Sequence, residues 1–232
     1  MTTLPFKLAI NPAPTQFLLT VRGSLAAADI EGGRLAHNQV AGSDEAVAMA
    51  RSFGDLSHGV FVPVDAPASG PGELLIIDYW NSVEGLMKFF SDEQVQAGGK
   101  MVFKAERDNV VWAGSAGLPN FSLPAPTGRN DRYVGLVRGP VASRVDAENL
   151  LTEALRQAAN GNRAKGLMSR QWYFRADQPN SLEAIGVDVW FDDKGMQEVY
   201  ADPAELAPLA NLFTARPATS VWKKPAGQWV EW

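Results

Sequence analysis

The eight residues ELLIIDYW (73–80) return later in the chain as EAIGVDVW (183–190). Each stretch places an Asp five residues after a Glu and a Trp two residues after that Asp. The correspondence continues without a gap, and its identical pairs keep a constant offset of 110 residues: Asp78/Asp188, Trp80/Trp190, Gly85/Gly195, Asp92/Asp202, Phe103/Phe213, Trp112/Trp222 and Gly117/Gly227. Self-similarity at a fixed offset indicates that one module occurs twice.

Each copy has the same predicted order of elements. FLLTVRG (17–23) and YVGLVRG (133–139) are short apolar runs that end in Gly, which predicts a first strand in each copy. Helical spacing follows, and then come a second strand (58–64 or 169–174), a turn and the quoted third strand. A further helix and a last strand complete the order β-α-β-β-α-β, which is the ferredoxin-like unit.

A four-stranded sheet that carries its helices on one face leaves its other face apolar and in need of a partner. Two copies in one chain supply that partner to each other. We therefore predict an α+β fold of two tandem βαββαβ repeats, packed sheet to sheet as an intramolecular α/β barrel. The predicted divisions are a first repeat at 1–117 that carries the candidate site, a linker at 118–131 rich in Pro and turn formers, and a second repeat at 132–232.

The stretch YWNSVEGLMKFFSD (79–92) resembles a segment of the antibiotic-biosynthesis-monooxygenase-like proteins, in which a strand ends in Trp and the residues Ser and Glu then open a helix. Together with the doubled order of elements, it makes the chain similar to the dimeric α/β-barrel superfamily, with both protomers fused. The resemblance implies a cofactor-independent monooxygenase that acts on a small apolar or aromatic substrate. Many members carry a His about one helix later, where this chain has QVQAGG (94–99).

Composition excludes several other classes of protein. The formal net charge of −5 argues against a nucleic-acid partner. The absence of Cys removes disulfides, thiol nucleophiles and Cys-ligated metal sites. The first residues contain neither a secretory signal nor a membrane span, so we expect a cytoplasmic protein without a membrane partner. A small-molecule ligand is the expected partner, and a homodimer is a further expectation.

Strand alternation divides the quoted phrase into two faces. One face is apolar in both copies, and we expect it to lie under the helices. The other face carries the Asp and the Trp, which we expect to point between the two sheets beside a cavity that small residues leave open: Asp78, Trp80, Asp188 and Trp190, with Ala184 and Gly186. The alternative is structural, with the Asp side chains bonded to backbone or water and the Trp rings filling the core.

The chain has two His residues, His37 and His58, and both lie in the first copy. Hairpin pairing places His58 opposite roughly position 79, and therefore close to Asp78 and Trp80. His37 lies on a predicted helix (26–40) that runs back toward the start of the second strand, so it approaches His58. In the second copy, Ser169 or Arg170 takes the place of His58. A structural His that bonds to a backbone carbonyl is the alternative for each.

These residues define the candidate site. In an enzyme, His58 is the expected base and Asp78 its orienting partner, since imidazole moves protons near neutral pH. His37 and Asn38 supply further polar contacts, and Trp80 forms the wall; the substrate-binding set is completed by Asp188 and Trp190. An isomerase or lyase that transfers a proton is open on the same residues. A non-catalytic small-molecule-binding or structural module fits the duplication equally well.

We expect neither a metal nor an organic cofactor. The two His and the Asp lie on separate elements without a diagnostic spacing for metal binding. Fused double ferredoxin-like chains include chlorite-dismutase-like proteins, whose pattern places a haem-ligating His in the second half, but residues 59–232 contain no His. The chain also lacks the glycine-rich motifs of nucleotide-binding sites.

Overall fold

The computed structural model describes residues 16–66, 70, 72–118, 120–122, 133–178, 180–209 and 211–232. The turn between the second and third strands of the first repeat, and most of the predicted linker, lie outside these residues. The division into repeats at 1–117 and 132–232 stays a prediction. The described residues nevertheless contain both predicted sets of strands.

The first repeat follows the predicted order, with two helices after its first strand and two after its third. Its elements are β1 (Phe17–Leu25), α1 (Ile30–Ala41), α2 (Asp44–Ser52), β2 (Asp55–Pro63), β3 (Glu73–Trp80), α3 (Val83–Ser91), α4 (Glu93–Val102) and β4 (Phe103–Ala113). The helix that was predicted over 26–40 begins at Ile30, because the Asp29 side chain accepts a hydrogen bond from the backbone N–H of Gly32 and so caps the helix there.

The second repeat begins after a two-residue strand, β5 (Phe121–Ser122), that lies within the predicted linker and pairs with the repeat's second strand. Its elements are β6 (Tyr133–Pro140), α5 (Arg144–Ala164), β7 (Leu167–Arg175), β8 (Glu183–Trp190), α6 (Asp193–Ala201), α7 (Pro203–Leu206) and β9 (Ala218–Lys223). The two repeats therefore place corresponding strands in the same order.

The two sheets join edge to edge into a closed barrel. Among the described residues the strand order is β4-β1-β3-β2-β9-β6-β8-β7, and β7 pairs back with β4. One seam brings Pro63 opposite Trp222, and the equivalent seam brings Ala113 opposite Phe174. Because each seam pairs a strand of one repeat with a strand of the other, closure removes the exposed sheet edges. This confirms the predicted α+β barrel of ferredoxin-like repeats.

The barrel interior is an apolar core drawn from both repeats. It contains Leu18, Phe61, Leu75, Ile77, Val110 and Trp112 from the first repeat, and Val134, Leu136, Tyr173, Ile185, Val187 and Trp222 from the second. The Arg of each VRG motif also contacts a Trp ring of the other repeat. Arg22 lies over the Trp222 ring at 5.1 Å from its centre, and Arg138 lies over Trp112 at 5.0 Å.

The face that carries the Asp and the Trp does not point into the barrel, so our assignment of faces was wrong. Trp80 packs with Phe89 and Phe90 of α3, in the layer between the first sheet and its helices. The cavity expected over Gly186 is filled as well. A Cβ at Gly186 would lie 2.8 Å from the Trp172 ring, so the small residue accommodates a neighbouring indole.

Two matching glycines of the repeats, Gly85 and Gly195, lie against backbone carbonyl groups. A Cβ at Gly85 would lie 1.8 Å from the Phe53 carbonyl oxygen, and one at Gly195 would lie 1.7 Å from that of Lys165. Each glycine lies in the first turn of a helix, and the side chains of Ser82 and Asp192 cap these two helices. Within the described part of the chain, no helix is long and apolar enough to cross a membrane.

Candidate functional site

The three predicted catalytic side chains meet in one hydrogen-bonded chain, which we call the relay: Asp78, His58 and His37. Strand pairing brings His58 directly opposite Asp78, one position from the predicted partner. The His58 Nδ1 atom lies 2.8 Å from Asp78 Oδ1, and its Nε2 atom lies 2.9 Å from His37 Nε2. The relay therefore joins β3, β2 and α1, in the layer between sheet and helices.

The two imidazole rings meet edge to edge. Their planes differ by 10° and their centres are 5.2 Å apart, while the two Nε2 atoms face each other. The far nitrogen of His37, Nδ1, lies 3.2 Å from the side-chain oxygen of Asn38. All of the relay is buried, with exposed fractions of 2% for His37, 9% for His58 and 3% for Asp78.

Burial and neighbouring charge move the two imidazole pKa values apart. Burial lowers the pKa of His37 to about 4, and the neighbouring His58 lowers it further in the same direction. Burial also works against a charged His58, but the Asp78 carboxylate outweighs that effect and the pKa of His58 is raised. A proton held by the relay is therefore carried by His58 in preference to His37.

A fourth ionisable group, Asp55, lies beside the relay at the start of β2. Its side chain accepts hydrogen bonds from the backbone N–H of Ser57 at 3.2 Å and from the indole N–H of Trp232 at 3.2 Å. Burial raises the pKa of Asp55 to about 7, and the charge of Asp78 adds to the rise. The site thus holds a second buried carboxyl group beside Asp78.

Residues 228–232, which we call the cover, lie across the relay. The backbone N–H of His58 donates to the Trp232 carbonyl oxygen at 2.8 Å, and the Trp232 N–H donates to the His58 carbonyl oxygen at 3.3 Å. Trp232 therefore pairs with the part of β2 that precedes its two pairs with β9. Its indole ring stacks on His58 with centres 4.6 Å apart, and the Trp229 ring tilts over His37 at 5.3 Å. The Glu231 side chain accepts from the Val60 N–H at 2.6 Å.

The corresponding position of the second repeat holds an ion pair instead of a relay. Arg170 lies opposite Asp188 on β7 and β8, as His58 lies opposite Asp78. The guanidinium makes two bonds to the carboxylate, at 2.7 and 2.5 Å, and the pair is buried. Burial opposes the charge on Arg170, but Asp188 outweighs it and raises the pKa of Arg170.

Tyr200 fills the remaining space in the second repeat. Its hydroxyl donates to Asp188 at 3.2 Å, and burial followed by the charge of Asp188 raises its pKa well above the usual value. A Cβ at Gly135 would lie 2.3 Å from the Tyr200 ring, so the ring rests directly on β6. In the first repeat, Leu19 occupies the strand position that pairs with Asp78, as Gly135 pairs with Asp188.

The four predicted substrate-binding residues lie in different surroundings. Asn38 contacts His37 and the cover. Trp80 and Trp190 are fully buried, and in the described part of the chain neither indole N–H has a hydrogen-bond partner. Asp188 is engaged by Arg170. The structure thus brings Asn38 to the predicted catalytic residues and leaves Asp188 and Trp190 in the other repeat.

The sequence interpretation missed Asp55 and the whole cover. Asp55 precedes the second strand as it was predicted, and the cover follows the last position of the repeat correspondence. The only available signal was the alternation of Trp and polar residues in GQWVEW (227–232), which is typical of an extended segment. Nothing in that alternation identifies β2, about 170 residues earlier, as the partner.

The chain is similar to several solved structures over nearly its whole length. A "putative monooxygenase" from Lactobacillus acidophilus NCFM has a TM-score of 0.56 and 12% identity, covering 92% of this chain and 97% of that one. One of the same description from Fusobacterium nucleatum has a TM-score of 0.60 and 7% identity, covering 95% and 98%. An anthrone oxidase-like protein has a TM-score of 0.55 and 17% identity, covering 90% and 91%.

A mutant chlorite dismutase from Candidatus Nitrospira defluvii has a TM-score of 0.52 and 9% identity, and covers 91% of each chain. This chain has the dimeric α/β-barrel fold. The resemblance derived from the sequence is confirmed at that level, with both barrel halves in one polypeptide. No family model and no curated protein matches the chain, and these identities establish the fold alone.

The described residues do not fit the cofactors considered for such folds. No group of three or more His, Cys, Asp or Glu side chains in the described ranges is arranged to hold a metal ion. For haem, the chlorite-dismutase resemblance would require a His in the second half, where the chain has none after His58. The space beside Asp188 is also filled by Arg170, Trp172 and Tyr200.

Proposed function

We propose that the protein is a cofactor-independent oxygenase that acts on a small planar aromatic substrate at the relay of the first repeat. The observation that carries the proposal is the buried Asp78–His58–His37 chain, which the second repeat replaces with the Arg170–Asp188 ion pair. An ion pair has no proton to exchange near neutral pH, whereas an imidazole chain does. The names of the neighbours, monooxygenase and anthrone oxidase-like, support the same class of reaction.

Geometry favours His37 as the base in place of His58. Both ring nitrogens of His58 are engaged, one by Asp78 and one by His37. His37 is the end of the relay, and its Nδ1 atom faces Asn38 across a longer contact of 3.2 Å. When His37 accepts a proton at Nδ1, its Nε2–H donates to His58, and Asp78 stabilises the positive charge. Trp80 closes the wall toward α3.

The reaction begins with removal of a C–H proton from a carbon that is acidified by a neighbouring ring carbonyl, as in an anthrone. His37 takes the proton, and the carbanion passes its electron pair to O2 in two one-electron steps while a C–O bond forms. The peroxide anion takes the proton back from His37, and the resulting hydroperoxide loses water to leave the carbonyl group. One CH2 group and one O2 become one C=O group and one H2O, so the substrate supplies all the electrons and no cofactor is consumed.

Oxygen uptake with a hydroxylated anthrone tests the proposal. The wild-type chain should consume one O2 per quinone formed, and His37→Gln should lower the rate by about 10²–10⁴-fold, the usual contribution of a general base. Tyr200→Phe is the matched control, because it removes one hydroxyl beside the Asp of the other repeat. Equal rates in wild type and His37→Gln, or a wild-type rate no greater than the spontaneous oxidation, would refute it.

A second candidate, a non-catalytic small-molecule-binding protein, is favoured by the depth of the relay beneath the cover, since His58 is only 9% exposed. Saturable binding of the anthrone without oxygen uptake would support it. An isomerase or lyase would use the same relay, and it would give a rearranged or cleaved product without consuming O2.

A further inference from the structure

The side-chain amide of Asn38 is held by two backbone groups of the cover. Its Nδ2 atom lies 2.8 Å from the Gln228 carbonyl oxygen, and its Oδ1 atom lies 2.9 Å from the Val230 nitrogen. A carbonyl oxygen only accepts and a backbone N–H only donates, so the amide has a single possible orientation. That orientation turns Oδ1 toward Nδ1 of His37.

The fixed amide determines which imidazole nitrogens carry protons. Because Asn38 Oδ1 only accepts, the Nδ1 atom of His37 carries a proton and donates it. The Nε2 atom of neutral His37 is then bare, so it accepts from an N–H on Nε2 of His58. The other nitrogen of His58 faces the Asp78 carboxylate and donates to it. His58 is therefore an imidazolium, and His37 is neutral.

The charges around His58 agree with this assignment. Three carboxyl groups face it from different elements: Asp55 on β2, Asp78 on β3 and Glu231 in the cover. Each favours a proton on His58. The basic groups nearby are His37 on α1 and Lys224, which pairs with Glu231. Burial lowers the pKa of His37, and the charge on His58 lowers it further. The cover thus contributes both an acidic side chain and the backbone groups that orient Asn38.

We infer, on the basis of the proposed function, that the cover holds the relay in a proton-loaded form, and that Asn38 is the positioning residue through which it does so. With the cover in place, the Nε2 atom of His37 is occupied and its Nδ1 atom is protonated, so the relay cannot act as a base. When the cover leaves, the amide turns freely, His37 moves its proton to Nε2 and donates it to His58, and the relay releases one proton. Nδ1 of His37 then becomes the free base.

This coupling identifies the ligand that opens the site. The Trp232 indole stacks on His58 with ring centres 4.6 Å apart and an angle of 22° between planes. A planar aromatic substrate that takes the place of this ring removes the cover from Asn38 at the same time. Substrate entry and activation of the base are then a single event, and the covered protein is protected from untimely proton transfer.

Nitrogen NMR of the imidazole rings tests the inference without a substrate, because the chain has only two His and their signals are easily assigned. In the wild-type chain at pH 7, three of the four ring nitrogens should be protonated, with Nε2 of His37 as the bare one. Val230→Pro removes the backbone N–H that Asn38 accepts from, and Val230→Ala is the matched control that keeps it.

Val230→Pro and Asn38→Leu should both lower the pKa of His58 by at least about one pH unit, and His37 should carry its proton on Nε2 in the proline variant. Val230→Ala should match the wild type. A proton on Nε2 of His37 in the wild-type chain, or an unchanged His58 titration in both test variants, would overturn the inference. The spectra are recorded without turnover. If they match the expectation but the wild-type chain consumes no oxygen, the proposed function is refuted and the inference about the cover is not.

Discussion

Each repeat buries an Asp against a basic partner, and the two partners differ in whether they can lose a proton near neutral pH. Replacing Asp188 by Asn leaves Arg170 buried and charged, because a guanidinium does not deprotonate in proteins. Loss of one member of a buried pair costs about 3–5 kcal/mol. For a chain of this size, that loss should lower the melting temperature by about 6–20 °C at any pH between 6 and 9.

Replacing Asp78 by Asn should cost less, and its cost should depend on pH. His58 can shed its proton, so at pH 9 the variant loses a charge-assisted hydrogen bond, about 1–3 kcal/mol. The raised pKa of His58 in the wild type means that its contribution is complete below about 6.5 and is lost as the pH rises through the folded-state value. The difference between variant and wild type should therefore grow toward pH 6, by up to about 1.4 kcal/mol per pH unit.

Urea titrations of both variants at pH 6, 7.5 and 9 measure these free energies of unfolding. The shared architecture makes each variant the control for the other, since both Asp residues are 3% exposed and lie at equivalent positions of the third strand. A cost for Asp78→Asn that does not vary with pH would contradict the proton-loaded state of His58. A smaller cost for Asp188→Asn than for Asp78→Asn at pH 9 would contradict the whole comparison.

Two further predictions follow from burial. Folding lowers the pKa of His37 from its usual 6.5 to about 4, so the free energy of unfolding should fall by about 3 kcal/mol as the pH drops from 6.5 to 4. Chemical denaturation at several pH values measures this fall, and His37→Gln should abolish it. Gly135→Ala places a methyl group 2.3 Å from the Tyr200 ring and should cost about 1–3 kcal/mol; combining it with Tyr200→Ala should show by the same method a smaller loss than the sum of the two single variants.

The barrel and the meeting of the His residues were predictable because both depend on local rules. Gly-terminated strands, helix caps and a hairpin are encoded by short segments, and the offset of 110 duplicates each signal. The hairpin register alone placed His58 within one position of Asp78. His37 followed from the direction of α1, because a helix between two strands must return to the start of the second strand.

The wrong assignment of faces and the missed cover have different physical causes. A central strand of this barrel is buried on both faces, by the interior core on one side and the helices on the other. The alternation of residues along the strand therefore does not distinguish the side that faces the barrel interior from the side that faces the helices. Trp80 and Ile77 are both buried, on opposite faces. The cover was missed because its partner strand lies about 170 residues away in the sequence. Backbone hydrogen bonding to a strand also places little constraint on which side chains the paired segment carries.

Fusion of the two halves has a consequence for how such a site can change over generations. In a barrel made from two identical subunits, any substitution appears twice, so an Arg introduced at the position of His58 would abolish both sites together. Here Arg170 occupies one half while His58 persists in the other. A single gene for both halves lets one be selected for rigidity and the other for chemistry, a division of labour that a symmetric homodimer does not permit.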